Sequence, residues 1–247
     1  MIVTSLLSEK KYFWVKVPRT GTHAYQRLLF PELHQEKTLI FHSHAPFLDF
    51  SRSMCVKKPH IEHGVSVVRH PQDKFISGLR YFQMKSVFNK EHRPEKFLKV
   101  CDFCGEVSEI THQQWNNETG TPNVVLDFLQ DETTFYDFIY SYFDRNCMLK
   151  SGYTWEQVFQ SANLGAVYSI FKPQVFFAYH PRVKIFHYEN IQEFNSWIET
   201  TLGISTDTLT TENTSKHHIL NIDVTTKKFH DLVRYLFHDD FQVFGYS

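Results

Sequence analysis

The sequence predicts an α/β protein in which a central parallel sheet is flanked by helices on both faces. Short apolar segments of strand length alternate with longer amphipathic segments, and no internal repeat or linker interrupts them. With 247 residues the chain is long enough for one large domain with a full core, so we expect residues 1–247 to form a single domain. An apolar share of 42% excludes a disordered chain.

Charge and composition limit the partners. The formal net charge is −1, so bulk electrostatics do not recruit nucleic acid or an anionic membrane. No apolar run approaches the roughly 18–20 residues of a membrane span, and the charged N-terminal segment is not typical of a signal peptide. Four cysteines are too few for a disulfide framework. We therefore expect a soluble, cytoplasmic protein without a nucleic-acid partner.

The first predicted strand and helix flank a short polar loop. Residues 11–17 are rich in apolar side chains, as in a buried strand, and the pattern breaks at Pro18. A helix is predicted at 22–30 because the amphipathic pattern ends before Pro31, which cannot continue a helix. A short apolar strand at 38–41 follows in the same predicted sheet.

A second strand–helix pair is predicted around Arg69. The strand at 64–69 is apolar at positions 65, 67 and 68, and Pro71 suits the first turn of the next helix. Phe75 and Leu79 fall on one face of that helix, which is the spacing of a core face, whereas Ser77 falls off it.

The rest of the chain is less regular. Residues 85–122 lose periodicity, and we expect irregular structure or a lid there. A polar, Thr-rich loop is predicted at 205–216, and Gly203 before it suits a helix C-cap. The remaining predicted elements are helices at 123–130, 133–143, 191–202 and 229–237 and a strand at 183–187.

The loop after the first strand suits an anion. Backbone N–H groups are free at the start of a helix, Gly21 permits a close approach, and Arg19 adds a fork of donors. The Walker pattern of nucleotide triphosphatases is absent. The alternative is a capped turn with a surface arginine. The loop reads Pro18, Arg19, Thr20, Gly21, Thr22 and His23.

Arg69 and Ser77 form the second candidate anion site. Arg69 stands where its strand ends, and Ser77 lies two turns into the following helix, so both are within reach of one phosphate. The alternative is a surface arginine and an ordinary helix serine. Either site alone is weak evidence.

Histidines and a basic pair supply the other candidates. His42 and His44 follow the strand at 38–41 and are placed for general-base catalysis, although ordinary loop histidines are an equal alternative. Lys216 and His217 follow the polar loop and would close on an anion, or else form a solvated cluster. Glu189 would orient a catalytic group or cap the following helix together with Asn190.

A metal or redox site is not favoured. No carboxylate or cysteine partners lie near His42 and His44 in the sequence, so a metal site there is discounted. Cys101 and Cys104 have the C-x-x-C spacing but no second pair, which disfavours zinc and redox roles.

Together these segments resemble the sulfotransferases that use 3′-phosphoadenosine 5′-phosphosulfate (PAPS). That family has a Pro-Lys/Arg-x-Gly-Thr-Thr loop for the 5′-phosphosulfate, similar to residues 18–23. It also has a strand ending in arginine, with a serine eight residues later, for the 3′-phosphate, similar to Arg69 and Ser77. A later Tyr-Glu-Asp/Asn-Leu/Ile motif is similar to residues 188–191, and a preceding Pro-Gln is similar to Pro173 and Gln174.

The resemblance covers roughly residues 12–83 and 172–247 and implies a P-loop-like sheet. Uronyl and heparan sulfate 2-O-sulfotransferases look most similar, because of the pattern at 42–50 and the aromatic helix at 239–246. Arg19 stands where lysine is frequent, and His23 replaces a threonine or serine. The membrane stalk of the Golgi enzymes has no counterpart, which suggests a soluble form.

The resemblance implies a transfer of the sulfuryl group from PAPS to an acceptor hydroxyl, without a metal. Arg19 would stabilise the leaving phosphate, and His44 or His42 would be the base. Lys216 and His217 would help to hold the cofactor, whose product is 3′-phosphoadenosine 5′-phosphate (PAP). The acceptor would be a glycan or a small molecule, and residues 85–165 the acceptor region. The alternatives are a P-loop-type nucleotide kinase and a non-catalytic nucleotide- or glycan-binding module on the same fold.

Overall fold

A computed structural model describes residues 2–8, 10–17, 19–29, 39–41, 63–87, 96–100, 107–111, 129, 131–152, 171–209 and 219–247. The strands in these ranges are β1 (Ile2–Thr4), β2 (Lys11–Val15), β3 (Leu39–Phe41), β4 (His63–Val68), β5 (Lys96–Val100), β6 (Val107–Thr111) and β7 (Val183–His187). The α-helices in these ranges are α1 (Thr22–Leu29), α2 (Pro71–Val87), α3 (Glu132–Tyr142), α4 (Gln174–Ala178), α5 (Ile191–Trp197), α6 (Lys227–Leu236) and α7 (His238–Phe244).

A four-stranded sheet has the order β1-β2-β4-β7. Strand β2 pairs with β4 in parallel, and β4 pairs with β7 in parallel, whereas β1 lies antiparallel to β2 at the edge. Trp14 lies opposite Val65, so the carboxyl ends of β2 and β4 meet at one edge of this sheet. The architecture is therefore α/β, and the prediction that the two candidate loops follow strands of one sheet is confirmed; the structure adds that these strands are neighbours.

Strand β3 belongs to a second sheet, of order β3-β5-β6, and pairs with β5 in parallel. The expectation that the strand at 38–41 joins the sheet of β2 and β4 was therefore wrong. The expectation of irregular structure throughout 85–122 was also wrong, because β5 and β6 lie within that range. Strands of this kind form by pairing with distant segments, so a local loss of periodicity does not exclude them.

The chain divides into two compact units. The first consists of residues 1–70, 97–109 and 174–212, and the second of residues 71–96, 110–173 and 213–247. The prediction of a single domain stays a prediction. In the first unit, buried side chains of the four-stranded sheet pack with those of α1, α5 and the turn that follows α5: Val3, Trp14, Tyr25, Leu29, Val65, Val67, Phe186, Phe194, Ile198 and Leu202.

The core of the second unit is largely aromatic. Phe75 and Leu79 of α2 are both completely buried in it, which confirms the predicted core face of this helix. Phe75 lies 5.2 Å from Phe237 and 5.8 Å from Phe171, measured between ring centroids. Edge-on and offset ring pairs of this kind add to the free energy gained by burial alone.

Capping residues define several helix ends. Gly203 has a φ of 76° and closes the π-helical turn Ile198–Leu202 that continues α5, as its predicted C-cap role requires. Thr226 caps α6 by accepting a hydrogen bond from the backbone N–H of Phe229. The helices predicted at 22–30, 133–143 and 229–237 correspond to α1, α3 and α6, whereas most of 123–130 lies outside the described residues.

A search of the described helices for a membrane span, judged by length and hydropathy, finds none.

Candidate functional site

The loop between β2 and α1 has an unusual backbone. Arg19 has a φ of 67° and Gly21 a φ of 77°, both in the left-handed region. A non-glycine residue rarely adopts this conformation, which costs about 1–3 kcal/mol and is frequent in ligand-binding loops. The hydroxyl of Thr20, 1% exposed, donates to the carbonyl oxygen of Val17 at 2.9 Å and closes the turn. The sequence predicted a tight anion-binding turn here, and the structure has a tight turn.

Gly21 is required for space as well as for φ. A Cβ added at this position would lie 2.9 Å from Cε2 of Tyr188, closer than real Cβ atoms approach. Tyr188 directly follows β7 and opens a 3₁₀ turn, Tyr188–Asn190. The Tyr188 ring therefore lies directly against the backbone of Gly21.

Arg69 directly follows β4, the strand next to β2. Its guanidinium carbon lies 4.8 Å from the centroid of the Tyr188 ring, which is cation–π geometry. Its Nη1 is 3.5 Å from the carbonyl oxygen of Arg19, a long contact for a hydrogen bond. The two predicted anion-binding segments therefore meet at Arg69 and Arg19, with Tyr188 against both.

The side chain of Arg69 retains unused donor capacity. Its Nε is buried and has no hydrogen-bond partner among the described residues. A buried donor without a partner costs about 1–3 kcal/mol, and a guanidinium has five donors in a fork that matches phosphate or sulfate. An anionic ligand that approaches Arg69 at this side would satisfy the Nε–H group.

The backbone of Arg69 is held by residues far away in the sequence. The N–H of Arg69 donates to Oε1 of Gln174 at 2.8 Å, and Nε2 of Gln174 donates to the Arg69 carbonyl oxygen at 2.7 Å. The next N–H, of His70, donates to Oε1 of Glu189 at 2.7 Å. This contact holds the backbone just after Arg69, whereas no side-chain hydrogen bond caps α5 at Asn190. The expectation that Glu189 orients a catalytic group stays a prediction.

Helix α1, which follows the loop, is anchored at its side. The hydroxyl of Tyr25 donates to Oδ1 of Asn195 in α5 at 2.6 Å, and the Tyr25 ring lies 4.8 Å from that of Phe194. Burial raises the pKa of Tyr25, so the hydroxyl keeps its proton and remains a donor. The start of α1, where Thr22 is buried, is thus fixed relative to the sheet.

Several predicted site residues lie elsewhere in the fold or outside the described residues. Ser77 lies in α2, in the second unit, so its pairing with Arg69 stays a prediction. His23 lies in the first turn of α1. Outside the described residues lie Pro18, His42, His44, Lys216 and His217, together with Cys101 and Cys104. Within the described part, no group of three His, Cys, Asp or Glu side chains could hold a metal ion.

Reasoning from the sequence missed how Gln174 and Tyr188 contact the site. The signal was present, because both lie in short motifs noted for their resemblance, Lys172–Gln174 and Tyr188–Ile191. A motif does not show which distant residue it contacts, and Gln174 is 105 residues from Arg69 in the sequence.

Comparison with known protein families, with curated proteins and with solved structures finds no match to this chain.

Proposed function

We propose that this protein is an O-sulfotransferase that uses PAPS, with the donor nucleotide bound at the sheet edge where β2 and β4 end. The observation that carries the proposal is the meeting of the two segments: Arg69 Nη1 lies 3.5 Å from the Arg19 carbonyl oxygen, and Tyr188 contacts both segments. A nucleotide with a 5′- and a 3′-anionic group needs one arginine-bearing segment for each group, with the two segments close enough for a single ligand to reach both. We also propose a P-loop-like fold, because a strand, a loop and a helix follow one another at residues 11–29.

Arg69 fits the 3′-phosphate. Its guanidinium stacks on the Tyr188 ring, its backbone is held by two hydrogen bonds to Gln174, and its buried Nε lacks a described partner. These features suit a dianionic group with fixed geometry better than a mobile counterion. Ser77 remains a proposed second donor to the same phosphate.

Arg19 and the loop fit the transferring end. The backbone N–H groups that start α1 have no partner within the helix, and Arg19 adds a permanent charge. In the proposed reaction an acceptor oxygen forms a bond to sulfur while the bond from sulfur to the 5′-phosphate oxygen breaks. Arg19 and the loop N–H groups stabilise the charge that develops on that leaving oxygen.

The acceptor proton needs a base. We propose His44 or His42, which follow β3 in the sequence, as the group that takes the proton of the acceptor hydroxyl. The products are then PAP and the sulfated acceptor, and no metal is required for this step. A hydroxylated acceptor, which we propose to be a glycan or a small molecule, and a cytoplasmic location are part of the same proposal.

Calorimetry with three nucleotides tests the donor site. We expect PAP to bind more tightly than adenosine 5′-phosphate (AMP), and both to bind without a divalent cation. Tighter binding of ATP with Mg²⁺ would instead favour the nucleotide kinase. If PAP binds but no sulfate passes from PAPS to any member of a panel of glycans and small phenols, a non-catalytic binding module is the correct interpretation.

A further inference from the structure

Arg69 lies just beyond the end of a strand ladder. The last pair between β4 and β7 joins Val68 to His187, so Arg69 has no strand partner on that side. Its backbone N–H and C=O groups are partly buried, and such groups cost free energy unless they are hydrogen-bonded. The conformation of Arg69 therefore depends on what replaces the ladder there.

The side-chain amide of Gln174 takes the place of a strand partner for Arg69. A glutamine amide has one carbonyl acceptor and an NH₂ donor, as a peptide group has an acceptor and a donor. Its Oε1 accepts from the Arg69 N–H at 2.8 Å and its Nε2 donates to the Arg69 carbonyl at 2.7 Å, so one side chain satisfies both backbone groups. Gln174 is 0% exposed, which leaves it no freedom to exchange these bonds for water.

Gln174 is itself held in place by the helix to which it belongs. Gln174 opens the short helix α4, in which Phe177 and Ala178 are buried. The next backbone N–H, that of His70, donates independently to the Glu189 carboxylate at 2.7 Å. Gln174 is thus the residue that acts on Arg69 itself, and Glu189 acts one residue later.

We propose that Gln174 is a positioning residue for the nucleotide donor, which fixes the backbone of Arg69 so that its guanidinium meets the 3′-phosphate of the nucleotide. The inference rests on the proposed function. It extends that function because it assigns recognition of the 3′-phosphate to a side chain that does not touch the nucleotide. Its particular consequence is selective: loss of Gln174 weakens binding of a 3′,5′-bisphosphate and spares that of a 5′-monophosphate.

The test compares the dissociation constants of PAP and AMP by calorimetry. In Gln174→Ala we expect the affinity for PAP to fall at least about tenfold, because Arg69 loses its fixed orientation, while the affinity for AMP changes less than about twofold. The ratio of the two affinities is the readout, because general damage to the fold would lower both together.

Gln174→Glu supplies a second, reversible variant. A protonated carboxyl keeps one acceptor and one O–H donor and therefore imitates the amide, whereas an ionised one presents two acceptors to the Arg69 carbonyl. Relative to the wild type at each pH, we expect the PAP-to-AMP ratio to be low at pH 8.5 and to recover at pH 5.5. This variant decides the matter if Gln174→Ala does not fold.

Ser66→Ala is the matched control. The buried hydroxyl of Ser66 donates to the Val15 carbonyl at 2.9 Å, so its loss also removes a buried side-chain to backbone hydrogen bond from the first unit. We expect it to lower the stability and to keep the PAP-to-AMP ratio. If the PAP-to-AMP affinity ratio is unchanged in Gln174→Ala and in Gln174→Glu at pH 8.5, or if both affinities fall equally, the positioning role of Gln174 is refuted. The proposed donor site itself is not refuted by that result. Failure of the wild type to bind either nucleotide refutes the donor site, and the positioning role with it.

Discussion

The guanidinium carbon of Arg69 lies 4.8 Å from the centre of the Tyr188 ring, and the same ring lies against Gly21. One aromatic side chain therefore contacts both segments that the sequence marked as anion sites. The ring restricts Arg69 on one side and leaves its Nε buried without a described partner. The proposed nucleotide would bridge these two segments, and the binding experiments with variants of Arg69 and Gly21 depend on this proposal.

Arg69→Lys is expected to weaken PAP binding at least about tenfold although the charge is kept. Lysine lacks the planar fork that stacks on Tyr188 and donates in two directions, and hydrogen bonds to charged groups contribute about 1.5–3 kcal/mol. Calorimetry with PAP measures the loss, and Arg27→Lys at the last turn of α1 is the charge-matched control. Equal affinities of Arg69→Lys, Arg69→Ala and wild type for PAP would exclude the 3′-phosphate site.

Gly21→Ala is expected to lower the free energy of unfolding and to abolish nucleotide binding. The new Cβ adds a steric clash at 2.9 Å with Tyr188 to the cost of a φ of 77°. Gly245→Ala is the control, because Gly245 has a φ of 71° but nothing within 4 Å of the added Cβ. The φ cost alone is about 1–2 kcal/mol. Urea unfolding should therefore show a larger loss for Gly21→Ala, and a loss no greater than that of Gly245→Ala would contradict the contact with Tyr188.

His44→Ala or His42→Ala is expected to reduce turnover at least about tenfold while PAP affinity survives. A general base contributes about 10²–10⁴-fold to the rate, and in the proposed reaction it acts on the acceptor and not on the nucleotide. The assay is sulfuryl transfer from PAPS, with calorimetry on PAP as the companion measurement. Unchanged turnover in both variants would show that neither histidine is the base.

The contribution of Lys74 to the free energy of unfolding is expected to rise with pH between about 8 and 10.5, against an opposing contribution of Cys147, whose thiol pKa is raised by burial. This lysine is fully buried in the second unit, where its Nζ donates to the Lys172 carbonyl at 2.7 Å and lies 5.0 Å from the centre of the Phe237 ring. Burial lowers the pKa of Lys74 to about 8 from 10.5, against the opposing effect of Asp240.

The sign follows from proton binding. Below pH 8 the ammonium is charged in both the folded and the unfolded chain, and this group adds no pH dependence. Above it the unfolded chain binds more protons, so the free energy of unfolding rises, by at most about 1.4 kcal/mol per pH unit. Urea unfolding from pH 7.5 to 9.5 measures the slope. Lys74→Met should remove it and Lys184→Met, at an exposed lysine of β7, should keep it; the reverse result would contradict the burial of a charged Lys74.

Local chemistry was sufficient for much of the scaffold. The apolar run before Pro18, the proline at the start of α2 and the glycine after Leu202 each act on neighbouring residues, so strand and helix ends could be predicted from them. The order of these elements also allowed the loop at residue 19 and Arg69 to be expected on parallel strands. By contrast, β5 and β6 were not predicted, because the local residue pattern does not show whether a segment pairs with a distant strand.

In the candidate site, too, the sequence was sufficient for the residue types but not for their contacts. The residue types at 19–22 and at 69 follow from the chain alone, since a glycine, hydroxyls and arginines at strand ends suit anions whatever surrounds them. That Gln174 holds Arg69 across 105 residues, and that Tyr188 fills the space beside Gly21, depended on folding. Both contacts consist of groups withdrawn from water and matched in shape and hydrogen bonding. Such matching exists only once burial has brought distant segments together.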